Sequence, residues 1–274
     1  MDLPFTSLKL ITNEFNTDSP LTSTAFNTAL FDYTNATTGF LHLWITPPAI
    51  ALGHRDKQLP FFNKATDFLL AHGYIPYVRS AGGLAVISDP NILNGALIFE
   101  QPLDSPLSIE STYQLAIKLL KETLSPLPLV VGEIKQSYCP GDFDVSINGL
   151  KIAGLAQYRH RNKVLVSFYL SVAGNQLERG QLVRQMYQIG TGKADIMPPY
   201  PNVDPACMTT LATLKPQIKV ANIIKEFQSI WPNIPKSRLI VTDDINDQVF
   251  AIKTKLIARQ PANLNILHTK GTFI

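Results

Sequence analysis

Cys139 and Lys151 stand twelve residues apart in the stretch SYCPGDFDVSINGLK, and a thiol and an amine at that spacing could carry out acyl transfer. The thiolate is the nucleophile, and a nearby ammonium favours it over the thiol. The same ammonium could hold a substrate carbonyl or protonate a leaving amine, with no histidine base. A loop cysteine beside a solvated strand lysine is the plainer alternative, and these two residues alone leave it open. Cys207, in DPACMTT, has no Lys, Arg or His within seven residues on either side, and it reads as a small buried residue at a helix start. Gly82-Gly83, just after Arg79, could leave backbone N–H groups free to approach a carbonyl, or could simply turn a hairpin.

The elements that must position these groups are legible around them. In DVSINGLKIA, Asn148-Gly149 supplies the two left-handed positions of a two-residue type I′ hairpin. Ile147 then faces Leu150, and Ser146 faces Lys151. Asp144, Ser146 and Lys151 share one face, so Lys151 is expected on a rigid strand, and its loss should cost activity and not the fold. Pro140-Gly141 could turn the thiol back over that face. A second hairpin is expected from Leu155–Tyr158 and Val164–Val172 around Arg159, His160, Arg161 and Lys163. That basic tip is either a solvated turn or a steering surface for an acidic partner. Helices are expected over 19–33, 59–73 and 108–124, with strands at 40–46, 50–53, 74–79, 84–87 and 96–100. The last part of the chain reads as mainly helix with one strand near Ile240. Strands joined by tight turns, with helices outside, argue for an α+β fold with a largely antiparallel sheet.

Composition bounds the function. In 274 residues, 45% are apolar and 16% charged, enough to bury a substantial core and too apolar for disorder. The net charge of +3 gives no ground for nucleic-acid binding, and the histidines are scattered without zinc spacing, so no metal is expected. No apolar run is long enough to span a bilayer, so no membrane association is expected. The N-terminal MDLPFTSLKLITNEF lacks a basic segment followed by an apolar one, and two distant cysteines form no disulfide framework, so a reducing cytoplasm is expected. One domain is expected over 1–274, with a core of about 20–212 and a mainly helical extension over 213–274.

Several segments, in order, resemble the lipoate/octanoate branch of the biotin and lipoate protein ligase superfamily. They are PPAIALGHRD, YVRSAGGLAVISD, LNGALIF and NGLKIAGLAQYR, and the resemblance runs from about Ala25 to Val172 and more faintly to Leu211. ATP-dependent ligases of this family carry Arg-Arg-Ser-Gly-Gly-Gly-Ala-Val-Tyr-His, where this chain has RSAGGLAVIS with Ser88 in place of the histidine. Octanoyltransferases fed by acyl carrier protein place their cysteine in a late Pro-Cys-Gly, which Pro205-Ala206-Cys207 only imitates, or in Cys-Phe-x-x-Pro-Ser. The amidotransferase group carries Ser-Tyr-Cys-Pro-Gly, then the Asn-Gly hairpin and Lys-x-Ala-Gly, and SYCPGDFDVSINGLKIAG reproduces that pattern.

The resemblance implies a catalytic-domain fold of the biotin/lipoate ligase type, an α+β sheet flanked by helices. It implies an acyltransferase that moves an octanoyl or lipoyl group through a thioester on Cys139. The donor would be a lysine of the glycine cleavage H protein, and the acceptors would be lysines of E2 lipoyl domains of 2-oxoacid dehydrogenases. Cys139 and Lys151 would be catalytic. Arg79, Gly82, Gly83, Leu84, Ala85, Val86, Gly154, Leu155 and Ala156 would line the acyl site, with oxyanion donors near Gly82-Gly83 or Gly154. No cofactor is implied. An acyl carrier protein donor, or ATP-dependent ligation, are the alternatives.

Overall fold

The computed structural model of the chain describes residues 3–12, 19–79, 82–193, 198–230 and 234–270. Strand β1 (Ser7–Thr12), helix α1 (Pro20–Ala29), and strands β2 (Thr38–Trp44) and β3 (Ala49–Leu52) come first. Helix α2 (Phe62–Ala71), strands β4 (Ile75–Val78), β5 (Val86–Ser88) and β6 (Ile92–Glu100), and helix α3 (Ile109–Thr123) follow. The middle holds β7 (Val130–Val131), β8 (Val145–Ile147), β9 (Leu150–His160), β10 (Lys163–Ser171) and α4 (Gln176–Thr191). The chain continues with α5 (Leu211–Leu214), α6 (Val220–Ser229), β11 (Lys236–Arg238), α7 (Asp243–Ala258) and α8 (Ala262–Lys270).

Eight strands form one sheet in the order β11-β1-β2-β6-β10-β9-β8-β7. All its pairings are antiparallel except those of β1, which runs parallel to both neighbours. The α+β, largely antiparallel architecture is therefore as the sequence indicated. β6 starts four residues earlier than its alternation suggests, because it lies inside the sheet. Ile92, Leu93 and Ala96–Phe99 are all buried there, and a strand covered on both faces reads as a continuous apolar run.

Helix α3 forms where the spacing predicts it. Ser108 caps it by accepting from the Ser111 N–H, and Leu115, Ala116, Leu119 and Leu120 fall on one buried face against the sheet. Each such leucine contributes about 2 kcal/mol by leaving water. Helices α1 and α7 cover another part of the sheet, with Phe26, Leu30 and Phe40 packed among Ile245, Val249 and Leu256. A third core lies under α2 and α4, over a small sheet of order β4-β3-β5.

That small sheet corrects the hairpin reading of Gly82-Gly83. β4 and β5 pair with opposite edges of β3 and not with each other, so the segment between them must cross the end of β3. Gly53 lies just beyond β3, and a Cβ there would sit 1.9 Å from the Gly83 carbonyl oxygen, so the crossing requires a glycine at 53. The C-terminal part reaches the same region. Gln260 accepts from the Val78 N–H at 2.7 Å and donates to the Val78 carbonyl at 3.0 Å, fixing the residue before Arg79. No helix among the described residues is long and apolar enough to cross a membrane.

Candidate active site

Asn148 and Gly149 adopt φ of +52° and +78°, and the hairpin pairs Ile147 with Leu150 and Ser146 with Lys151, as the spacing requires. One irregularity follows, at Val145/Ser146, which shifts Val145 opposite Ala153. Asp144 precedes this bulge and ties down the loop before it. Its carbonyl accepts from the Gly132 N–H, its N–H donates to the Gly141 carbonyl, and its Oδ2 accepts from the N–H groups of Gly141 and Ile134. Residues 132–144 thus close over β8 and β9 as a pinned loop with Cys139 near its crest.

Lys151 lies beneath that loop and is 1% exposed, which excludes the solvated reading of this lysine. Its Nζ makes an ion pair with Asp144 Oδ1 at 2.9 Å. It also donates to Ser137 Oγ at 2.9 Å, the Cys139 carbonyl at 3.0 Å and the Tyr138 carbonyl at 3.2 Å. Burial pushes the Asp144 carboxyl up from the usual range, and the Lys151 ammonium pulls it back. The ammonium is therefore spent on the backbone and counter-ion of the cysteine loop. Cys139 itself has φ +49°, a left-handed conformation that costs a non-glycine residue about 1–2 kcal/mol. The bond from Lys151 to its carbonyl helps hold it there.

The sulfur faces the other way. Cys139 Sγ accepts from the Leu84 N–H at 3.3 Å and from Arg79 Nη2 at 3.4 Å. Arg79 Nη2 also donates to the Leu84 carbonyl at 2.9 Å, which folds the segment around the thiol. The cation beside the sulfur is thus Arg79, where the sequence reading had assigned that place to Lys151. Gly83, at φ +98°, completes the fit. A Cβ there would lie 2.5 Å from Arg79 Nη2 and 2.9 Å from Sγ, so no larger residue leaves the thiol this position.

The remaining expected residues divide. Gly82 is exposed and has open space around it, and Ser80 and Ala81 lie outside the described residues. Gly154 leaves room for Lys151 and Tyr169, since a Cβ would meet Tyr169 Cε1 at 2.7 Å and Lys151 Cε at 3.4 Å. Ala85 is fully buried, and with half-buried Val86 it belongs to the core under α2 and α4. Leu155 packs against the core under α3, and Ala156 is half-buried with its carbonyl accepting from Ser167. The apolar set is therefore split across two cores. Two surface clefts, of about 270 and 470 Å³, lie elsewhere, one lined by Leu10 and Arg238 and the other by His72, Asp89 and Arg179.

Sequence reasoning gave no role to Asp144, Ser137, Asp56 or Tyr187. The spacing puts Asp144 on the same face as Lys151, and the fold of the loop brings the two into an ion pair. Cys207 sits close by, since the Thr209 N–H donates to the Lys151 carbonyl at 2.9 Å. Burial and then the Asp204 carboxylate push its thiol up to about 11, which disfavours its thiolate. The basic hairpin tip is less free than its composition suggests. Arg159 donates to the carbonyls of Leu107 and Ser108, and Lys163 to that of Phe31, leaving His160 and Arg161 exposed.

A thiol under a backbone N–H and a guanidinium, on a loop pinned by a buried Lys–Asp pair, is an arrangement suited to a nucleophilic cysteine. The chain belongs to the lipoyl protein ligase A/B catalytic domain family, whose pattern it matches over residues 19–230. Among curated relatives, it is 37% identical over 176 residues to the octanoyl-[GcvH]:protein N-octanoyltransferase of Oceanobacillus iheyensis, covering 64% of this chain and 62% of that one. It is 38% identical over 173 residues to the enzyme of the same name from Geobacillus kaustophilus, covering 62% and 61%. The chain thus matches less than two thirds of the length of these relatives. Its backbone also resembles a lipoate-protein ligase A solved with ATP, at a TM-score of 0.69, 14% identity, and 92% and 95% coverage. A putative lipoate protein ligase from Thermoplasma acidophilum, solved with lipoic acid, gives 0.66 at 14% identity, with 95% and 99% coverage. At that identity, these two similarities speak for the fold.

Proposed function

We propose that the chain transfers an octanoyl group, or its lipoyl derivative, from a lysine of the glycine cleavage H protein to a lysine of E2 lipoyl domains, through a thioester on Cys139. The observation that carries this reading is the sulfur of Cys139 held under the Leu84 N–H and the Arg79 guanidinium. The names of the relatives support the donor, and the SYCPG–NG–KIAG pattern supports the acceptor class.

In the first half-reaction the Cys139 thiolate attacks the amide carbonyl, forming the C–S bond and a tetrahedral oxyanion. The Leu84 N–H and Arg79, which hold the sulfur before attack, are the donors we assign to that charge. The C–N bond then breaks, and the donor lysine leaves as an amine that needs a proton. Solvent water supplies it, and Lys151, whose N–H groups are spent on four acceptors of the cysteine loop, holds that loop in place. In the second half-reaction the acceptor lysine amine attacks the thioester. The C–N bond forms, the C–S bond breaks, the amine's proton is released, and the thiolate is regenerated. Amide to thioester runs uphill, so the acceptor step draws the reaction forward. A reducing cytoplasm keeps Cys139 free for this cycle.

Intact-mass spectrometry after mixing with octanoylated H protein tests the reading. The wild-type protein should gain one octanoyl group, lost again on adding apo lipoyl domain, and Cys139→Ser should do neither. Undiminished transfer by Cys139→Ser would overturn the nucleophile. Labelling of lipoyl domain from free octanoate and ATP alone would replace the reading with ligation.

A further inference from the structure

Asp56 lies fully buried in the turn after β3, although a carboxylate with no basic side chain in direct contact among the described residues is an expensive group to bury. Both of its oxygens face donors. Oδ2 accepts from the Gly53 N–H at 2.7 Å, and Oδ1 accepts from the hydroxyl of Tyr187, on α4, at 3.0 Å. Since the Tyr187 proton is committed to Asp56, its oxygen is left as an acceptor, and the Ala85 N–H donates to it at 3.1 Å. Ala85 follows Leu84, whose N–H is on the Cys139 sulfur. The series Asp56–Tyr187–Ala85 thus anchors the peptide next to the one that meets the nucleophile.

We propose that Asp56 and Tyr187 are positioning residues for the Cys139 nucleophile, Asp56 setting the polarity of the Tyr187 hydroxyl so that it holds Ala85 and aims the Leu84 N–H at the sulfur. The inference deepens the acyl-transfer reading and rests on it for its purpose, although the geometry stands apart from the acyl donor. Each Asp56 oxygen accepts from one donor, the arrangement an ionised carboxylate satisfies in full. Burial nevertheless pushes Asp56 up to about 6, against the pull of Gly53, Tyr187 and the Arg79 charge. The titratable groups around it are Tyr187 from α4, which bonds to it, Arg79 from the end of β4, whose charge lowers it, and Tyr200, which donates to the Arg55 carbonyl in the same turn and is itself raised by the Asp56 charge. A proton shared between Asp56 Oδ1 and Tyr187 turns the hydroxyl towards the Ala85 N–H and draws the Leu84 N–H off the sulfur, which lowers the thiolate's share.

The test is site-resolved alkylation of Cys139 by iodoacetamide, read by mass spectrometry between about pH 5 and 8 on the full chain, with octanoyl transfer measured alongside. Wild type should show an inflection near pH 6, beyond the thiol's own rise. Asp56→Asn and Tyr187→Phe should each lower the alkylation rate about fivefold at neutral pH, the value of one hydrogen bond, and the double variant should lose no more than either. Asp56→Asn should also lack the inflection. Circular dichroism establishes that each variant is folded, and if Tyr187→Phe is not, Asp56→Asn and its pH profile decide the matter alone. Rates within about twofold of wild type in folded variants, additive losses, or an inflection that survives in Asp56→Asn would overturn the inference. Alkylation that responds as expected in a protein that transfers no octanoyl group would instead overturn the functional reading.

Discussion

The ammonium of Lys151 lies 3.0 Å from the carbonyl oxygen of Cys139 and leaves the sulfur to Arg79 and Leu84. The lysine therefore shapes the backbone that presents Cys139. Its four acceptors all belong to the segment from Ser137 to Asp144, so the loop and the lysine form one unit.

This relationship changes what a lysine substitution should do. Lys151→Met is expected to abolish transfer and also to destabilise the protein by about 3–5 kcal/mol, because it strands a buried Asp144 carboxylate. Adding Asp144→Asn should restore a good part of the stability and none of the transfer. Urea unfolding of the single and double variants measures this. A single variant as stable as wild type would show that the pair does not hold the loop.

The two loop glycines should behave differently. Gly82 has open space where a Cβ would go, whereas at Gly83 the Cβ would press on Arg79 Nη2 and Cys139 Sγ with φ at +98°. Gly82→Ala should keep transfer within about threefold of wild type, and Gly83→Ala should lose at least roughly a hundredfold, since displaced donors cost several kcal/mol of transition-state stabilisation. Single-turnover rates compare them, and equal effects would mean that the glycine loop is not held against the thiol.

Asp56 should leave a signature in stability against pH. Its carboxyl is raised from 3.8 to about 6 in the folded protein, so the folded state holds the proton more tightly than the unfolded chain does. Stability from this group is complete below the unfolded value and falls as pH rises to about 6, by roughly 3 kcal/mol. Buried His42, lowered to about 3, acts in the opposite sense, because the unfolded chain takes up its proton first as pH falls. The comparison must therefore be made against Asp56→Asn, which should gain on wild type by up to that amount between about pH 4 and 7. Unfolding free energies whose difference stays constant over this range would contradict the shift. A variant that gains stability while Cys139 loses reactivity would mark Asp56 as kept for function.

Cys207→Ser should leave octanoyl transfer within about twofold of wild type, because a thiol pushed up to about 11 is almost wholly protonated at neutral pH. A large loss would place Cys207 in the transfer pathway, and thioester mapping by peptide mass would then locate it.

The sequence by itself determined the elements whose signals are local. Asn148-Gly149 set the hairpin and its register, because only residues tolerant of positive φ close a two-residue loop of that twist. Ser108 and the apolar spacing after it set α3, and SYCPG with KIAG singled out Cys139 and Lys151 as a pair. The tertiary structure decided how they relate. The β4-β3-β5 order carries the glycine segment across β3 to the thiol, a pairing between residues some sixty positions apart that no local pattern encodes. The loop from Ser137 to Asp144 folds onto Lys151 and buries a lysine whose hairpin position alone leaves open to solvent. Asp56 and Tyr187 meet across 131 residues, and a long-range contact of two polar side chains has no periodicity from which to read it.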